Sequence, residues 1–435
     1  VRAPDDRFPP VVFEVSALAT QLALSISLRA IAWPEITTPA YLWSRGLVLY
    51  RDIKFVHTPG AMGILAIFFM LFGVRTAVVK SFVSLAALAS HGFLLSRTRG
   101  LPLSSRIFGS AFFLVFYYGW QGNSVWPTAL IAILALPLAR SLEQGKWSTT
   151  GILLGAGILL KQTVAYLLLL VLLRLAVQRR FREASRIALL AALPYWLAAA
   201  VFSPLGAGRE FLEWTLVVPF QTVGVIRHLP GLGTFSYFLL CGFLPLVLDT
   251  AIGLARDEEG ETGWLLVTGI GLALLAFPRF DFLQVSASCP CLALGAARLS
   301  VRAGKWLKPF SRALVAALVL PQAAALALGE RFDGKVLFWN EDPAYNALIE
   351  KLKREAPTGP IHSFLWPNIL PQTARLPPGG IYIHPWLTYD FPYDRIGERV
   401  RLAARRPGSI LVGPKGMFPK GVICGPFAFE HIKSR

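Results

Sequence analysis

Glu35-Ile-Thr-Thr-Pro-Ala-Tyr41-Leu-Trp43-Ser-Arg-Gly46-Leu-Val-Leu-Tyr50-Arg51-Asp52-Ile-Lys54-Phe-Val-His57-Thr-Pro59-Gly60 is a polar stretch that follows directly on the first strongly apolar run of the chain. That run, residues 12–33, is about 22 residues long and reads as a retained membrane anchor rather than a cleaved signal. The stretch after it carries two carboxylates, Glu35 and Asp52, on one loop. Beside them stand three aromatic rings (Tyr41, Trp43, Tyr50), the cations Arg51 and Lys54, His57 and a Thr-Pro-Gly turn. Ring faces with acids suit a sugar, and basic groups suit a phosphate. An isolated loop acid is ordinarily just solvated, so the company these two keep makes them candidates.

Working outward, the rest of the chain is apolar. Of 435 residues 54% are hydrophobic and only 16% charged, against about a quarter charged in a soluble domain. Mean hydropathy is +0.54. Apolar runs recur from Val11 to Leu328, which implies an α-helical polytopic membrane protein. The net charge of +18 does not imply nucleic acid, because the basic residues cluster between apolar runs, as cytoplasmic loops do. Three clusters fix the topology: Arg97, Arg99 and Arg106; Arg174, Arg179, Arg180, Arg182 and Arg186; Arg298, Arg302, Lys305, Lys308 and Arg312. With these inside, the N-terminus is cytoplasmic and the first loop, 34–60, lies outside. Residues 77–95, 107–119, 125–140, 149–160, 163–178, 187–203, 233–252, 262–277, 283–298 and 312–329 then cross in turn, giving about eleven transmembrane helices. Residues 60–74 are short for a span and read as a juxtamembrane or re-entrant helix. A true span there would put three arginines on the wrong side.

From about Arg331 the apolar runs stop. Strands are expected at Lys335–Trp339, Ile361–Leu365, Gly380–Ile383 and Ser409–Gly413, with helices at Ala344–Glu355, opened by Asp342-Pro343, and at Ile396–Arg406. The chain thus divides into a transmembrane domain, 1–330, and a small extracytoplasmic α/β domain, 331–435. No internal repeat is evident.

An ionisable group among apolar spans is a functional candidate by default. Lys161-Gln162 interrupts the apolar stretch Gly151–Leu175; it either snorkels to water or grips an anion. Arg279 and Asp281 share the turn Phe277-Pro-Arg279-Phe-Asp281 between two spans, where they either pair with each other or face a ligand. Arg29 lies near the outer end of the first span. The histidines and the four cysteines have no metal-ligand spacing, and Cys289 and Cys291 read as packing residues. P-loop, Gly-x-Gly-x-x-Gly, His-Glu-x-x-His and Gly-x-Ser-x-Gly motifs are absent from the sequence, so ATP-driven transport and Rossmann-type nucleotide-sugar chemistry have no support.

Taken in order, Gly46-Leu-Val-Leu-Tyr50-Arg51-Asp52, His57-Thr-Pro59-Gly60, Leu71-Phe72-Gly73, Gly151-Ile-Leu-Leu-Gly155 through Lys161-Gln162, and Arg279-Phe-Asp281 resemble the GT-C superfamily. Its members are polyprenyl-phosphate-sugar-dependent glycosyltransferases, among them protein O-mannosyltransferases, the lipid A aminoarabinose transferase and bacterial family 39-like proteins. The resemblance extends from the first outer loop as far as Asp281. Two departures are visible. The family's catalytic Asp or Asp-Glu is here Pro34-Glu35, and the second outer loop, Trp120-Gln121-Gly122-Asn123-Ser-Val-Trp126, has no carboxylate.

The resemblance implies a multi-pass plasma-membrane transferase of the cell envelope, working with inversion on the extracytoplasmic face. A sugar would pass from a polyprenyl-phosphate donor to a lipid, glycan or protein acceptor, with no metal or other cofactor. Glu35 would be the base and Asp52 would orient acceptor or base. Lys161, with Arg279 and Arg29, would hold the phosphate; Tyr50, Arg51, His57, Gln162 and Asp281 complete the expected binding residues. The rival readings are a transporter or flippase of a lipid-linked solute and an inactive GT-C-like member. Transporters often show paired repeats and broken helices at the midplane, whereas here the polar residues gather toward one face.

Overall fold

Some breaks in the apolar pattern end a helix, as Lys161 does, while others, such as Pro194 within Phe181–Phe202, are carried through. The computed structural model describes residues 10–219, 233, 239–256, 259–277, 281–303, 308–328, 332, 336–337, 343–355, 361–363, 410–414, 422–424 and 427–431. The expected strand at 380–383, the expected helix at 396–406 and Arg279 lie outside them. In chain order the described elements begin with α1 (Pro10–Ser27), the short strand β1 (Ala30–Ile31), α2 (Pro34–Ser44), α3 (Gly60–Phe72), α4 (Thr76–Thr98) and α5 (Leu103–Gly119). They continue with α6 (Pro127–Glu143), α7 (Trp147–Leu160), α8 (Ala165–Val177) and α9 (Phe181–Phe202). Three of the described helices, α4, α9 and the later composite helix Phe282–Arg302, are long and apolar enough to cross a membrane. Seven further apolar helices are shorter, at 10–17 residues. The other expected spans are shorter helices or run beyond the described residues. Lys161 splits one apolar stretch into α7 and α8, whereas Lys308–Leu328 stays helical through Pro321.

The chain forms two compact units. One comprises Val1–Ile31, Val79–Leu197 and Arg227–Lys335. Its centre is Phe282–Arg302, of which 89% is buried, in contrast to 28% for α9. Small residues make that burial workable. A Cβ on Gly295 would stand 2.8 Å from Leu246 Cα, and one on Gly109 2.8 Å from Ala297 Cβ. The Gly151-x-x-x-Gly155 pattern has the same explanation: α7 crosses α9 there, and a Cβ on Gly155 would sit 2.7 Å from the Ala191 carbonyl oxygen. The outward side of α9 carries Leu189, Leu193, Trp196 and Leu197, all exposed. An apolar surface of that extent needs a cover other than water.

Many of the arginines expected in solvated loops instead pair inside this unit. Arg99 and Arg106 both reach Glu14, at 2.8 and 2.9 Å; Arg97 and Arg298 flank Glu143; Arg302 meets Asp249 at 3.2 Å. The sequence hides these pairs because each acid lies on a different helix, far along the chain from its partner.

The second unit comprises Ala32–Val78, Ala198–Ile226 and Val336–Arg435. Within it α3 buries Ala61, Met62, Leu65, Ala66 and Phe69; the ring of Trp43 from α2 lies where a Cβ on Gly63 would come within 3.2 Å. The opposite side of α3 exposes Ile67, Met70 and Leu71. At 13 residues the helix is about 20 Å long, less than the hydrocarbon core. The later part of this unit contains a helix, Pro343–Glu355, and a four-stranded sheet. Its strands, in spatial order, are Ile361–Ser363, Ile410–Pro414, Phe427–His431 and Val422–Cys424. The first pair is parallel and the other two antiparallel.

Candidate active site

The stretch 35–60 is not a loop throughout. Pro34 at the first helical position starts α2, and Gly46, at φ +94°, follows its C-cap Arg45. Glu35 stands in the first turn and is buried, at 7% exposure. The positive end of a helix dipole is a favourable place for a carboxylate.

After Gly46 the backbone folds onto itself. Leu49 and Ile53 form an isolated bridge, the Tyr50 N–H donates to the Ile53 carbonyl at 2.7 Å, and the Asp52 N–H to that of Val48 at 2.8 Å. Tyr50 sits at φ +70°, a conformation that costs a non-glycine residue about 1–3 kcal/mol. Packing holds it there. The ring is fully buried, edge-on to Phe202 and Phe211 at 5.1 and 5.2 Å, and its hydroxyl donates to the His57 carbonyl at 2.7 Å.

Asp52 is the fastener of this turn. Its Oδ2 accepts from the Val48 N–H at 2.8 Å, and Arg51 grips both oxygens, Nε to Oδ1 and Nη2 to Oδ2, each at 2.9 Å. The remaining arm of Arg51 donates to the Leu205 carbonyl at 3.0 Å. The guanidinium hydrogen bonds hold the Asp52 carboxyl below the ordinary carboxylate range; partial burial opposes this, and the Val48 N–H and Lys54 assist. The motif Tyr50-Arg51-Asp52 thus ties the turn to the chain segment after α9.

That segment also supplies acids the sequence reading missed. Gly208–Leu212 is helical and runs into a π-turn, Glu213–Val217. Glu210 and Glu213 act on the half-buried Lys54 together with Asp52. Burial pushes the Lys54 ammonium down, and these three carboxylates oppose the shift. The long chain separation between Lys54 and Glu210 concealed the grouping; the only hint was an acidic pair in a short stretch just past a span.

In the other unit the centre is Lys161. It is 3% exposed and does not snorkel. Its ammonium donates to the Leu275 carbonyl at 3.2 Å and, by a short contact, to Gln284 Oε1. Trp126 Nε1 donates to the same oxygen at 2.9 Å. Asp281 also acts on Lys161, while its Oδ1 caps the turn Phe282–Val285 by accepting from the Leu283 N–H at 2.8 Å. Thr128 Oγ1 donates to the Leu283 carbonyl at 3.0 Å, so this turn is sewn to the start of α6. Gln162 begins the turn Gln162–Val164 and is half-buried. Arg29, half-buried beside β1, lends its carbonyl to Asn123 Nδ2 at 2.7 Å. Gln284 and Trp126 were missed by sequence reading. A lone glutamine three residues after Asp281 in an apolar run was the available signal.

The structure therefore brings Tyr50, Arg51, Asp52 and His57 together, and separately Lys161, Gln284 and Asp281. It can hold a buried carboxylate on a helix N-terminus and a buried ammonium whose hydrogen-bond acceptors here are neutral. Among the described residues there is no cluster of three or more His, Cys, Asp or Glu suited to a metal ion.

No family model matches the sequence, and no curated protein does. Among solved structures, the chain is similar to ArnT from Cupriavidus metallidurans bound to undecaprenyl phosphate. The TM-score is 0.59 at 13% identity, over 96% of this chain and 97% of that one. The same protein in the apo state gives 0.58 at 14% identity, with the same coverage. The chain shares the fold of ArnT. At such identity the likeness speaks for the fold alone.

Proposed function

We propose that the chain is an integral-membrane glycosyltransferase that moves a sugar from a polyprenyl-phosphate donor to a lipid, glycan or protein acceptor. The single observation that carries this reading is the buried Glu35 on the first turn of α2, within a fold shared with ArnT over nearly the whole chain. That ArnT was crystallised with undecaprenyl phosphate supports a polyprenyl phosphate as the carrier here.

In this reading the Glu35 carboxylate takes the proton of an acceptor hydroxyl. The hydroxyl oxygen bonds to the anomeric carbon from the face opposite the leaving group, and the bond from that carbon to the phosphate oxygen breaks. The configuration inverts, and the lipid phosphate departs with the electron pair. Charge grows on that phosphate, so a fixed cation is needed beside it. Lys161, with Arg279 and Arg29, serves; Gln162 and Asp281 frame Lys161, and His57 assists from the first outer segment. Asp52 and Tyr50 contribute by fixing the turn rather than by touching the reacting atoms. No metal is invoked. The helices would cross the plasma membrane about eleven times, with Glu35 and the 331–435 domain on the extracytoplasmic side.

The test is transfer from a panel of radiolabelled polyprenyl-phosphate sugars by the purified protein in lipid, with membrane extract as acceptor. Glu35→Gln should abolish labelled product while donor binding persists. An unimpaired rate would remove Glu35 as the base, and absence of any donor binding by the wild type would bring the transporter reading forward.

A further inference from the structure

Within the first unit, α4, α6 and α7 border an open cavity of about 480 Å³. Three cations line it: Arg97 in the last turn of α4, Arg140 in the last turn of α6, and Lys146, which precedes α7. One turn or more deeper along the same helices stand Phe93, Leu136 and Leu153. The cavity is therefore cationic at the helix ends and apolar further in. Two of its three helices end here with their carbonyl termini, which favours cations in the wall.

The charges are unequal in their engagement. Arg97 is committed to Glu143 through one amino group, while its buried Nε has no hydrogen-bond partner among the described residues. Glu143 is also approached by Arg298 at 3.9 Å, so that carboxylate is already compensated. Arg140 and Lys146 are exposed. A cationic rim above an apolar floor fits an anionic head joined to a hydrocarbon body. We propose that this cavity binds an anionic phospholipid of the cytoplasmic leaflet, its phosphate between Arg140 and Lys146 and its first acyl carbons against Phe93, Leu136 and Leu153. The choice of a lipid over a soluble phosphate rests on the apolar floor. The leaflet follows from the basic clusters and is where anionic lipids concentrate. The proposal does not depend on the sugar-transfer reading, only on residence in a membrane.

The experiment is native mass spectrometry of the purified full chain released from micelles holding equal phosphatidylglycerol and phosphatidylcholine. Retained phosphatidylglycerol adducts are expected. Arg140→Ala with Lys146→Ala should cut their affinity about thirtyfold, from ~1 kcal/mol per cation near an anionic lipid. Arg182→Ala with Arg186→Ala removes the same charge from another exposed basic segment and should leave the adducts in place. Arg140→Lys with Lys146→Arg should restore them, which separates lost binding from lost fold. Equal retention of both lipids, or equal loss in the two alanine pairs, would overturn the site. Displacement of the lipid by millimolar inorganic phosphate, without preference between the lipids, would assign the cavity to a soluble phosphate and likewise overturn it.

Discussion

Replacing Gly155 with alanine adds one methyl group at the tightest point of the α7–α9 crossing. The new carbon would lie 2.7 Å from the Ala191 carbonyl oxygen and 2.8 Å from both Cγ and Cδ of Pro194. Neither neighbour is a flexible tip; one is backbone and the other a ring. Since 3.4 Å is an ordinary separation for such a carbon, the helices must part by roughly half an ångström or more, and overpacking of this kind costs about 1–3 kcal/mol. Against that, alanine is the better helix former by about 1 kcal/mol. At the middle of the overpacking range the net is a loss of about 1 kcal/mol. Gly92 provides the control: it is inside α4, and a Cβ there meets nothing within 4 Å, so Gly92→Ala keeps only the propensity gain. Unfolding titrations in mixed micelles should therefore place the two variants on opposite sides of the wild type, separated by about 2 kcal/mol, the size of the overpacking cost alone. If Gly155→Ala proves as stable as Gly92→Ala, the Gly-x-x-x-Gly pattern does not set this crossing.

Lys161→Met should leave stability near that of the wild type, because removing a buried cation relieves its desolvation, yet should weaken polyprenyl-phosphate binding tenfold or more, the worth of about 1.5–3 kcal/mol for a charged hydrogen bond; unchanged affinity would make the lysine purely architectural. Arg51→Gln should let the Asp52 carboxyl climb toward the ordinary range. Because that group is depressed in the fold, its stabilising effect is present above about pH 4 and fades as pH falls through its lowered value. Hydrogen exchange at the Tyr50 and Asp52 amides should quicken in the variant, and unaltered protection would show that Arg51 does not hold the turn. Lys54 titrates the other way: its value is lowered by burial, so its contribution to stability rises with pH from that value toward about 10.4. Glu210→Gln with Glu213→Gln should lower it further, read as greater amine reactivity at fixed pH; no change would mean these carboxylates do not reach Lys54.

Apolar periodicity made most helices legible, often to within a few residues, as with 77–95 against Thr76–Thr98. Even the tail strands at 361 and 409 fall close to the observed ones. The helix Pro34–Ser44 was missed although its proline start and glycine end are helix signals, because the polar composition around it read as loop. What the sequence could not reveal was partnership. Lys161 was identifiable as an odd residue in an apolar run, but not that Gln284 and the Leu275 carbonyl receive it. Asp52 was visible as an acid, but its role as acceptor for Arg51 and the Val48 amide depends on a backbone turn that no spacing rule encodes. The acids Glu14, Glu143 and Asp249 stand out only once their arginines are placed beside them.

The two helices Phe282–Arg302 and Phe181–Phe202 differ in mean hydropathy by little, 1.3 and 1.6, but in burial by threefold. They therefore obey different rules of substitution. Along the enclosed helix, shape decides: Ser286, Ser288 and Ser300 sit there without difficulty because each hydroxyl finds a nearby carbonyl, while one added methyl at Gly295 would meet the backbone of Leu246. Along the bare helix, polarity decides: Leu189 can exchange with any greasy side chain, large or small, but not with a charge. A mutational scan of this protein would read the first helix as a lock and the second as a coat.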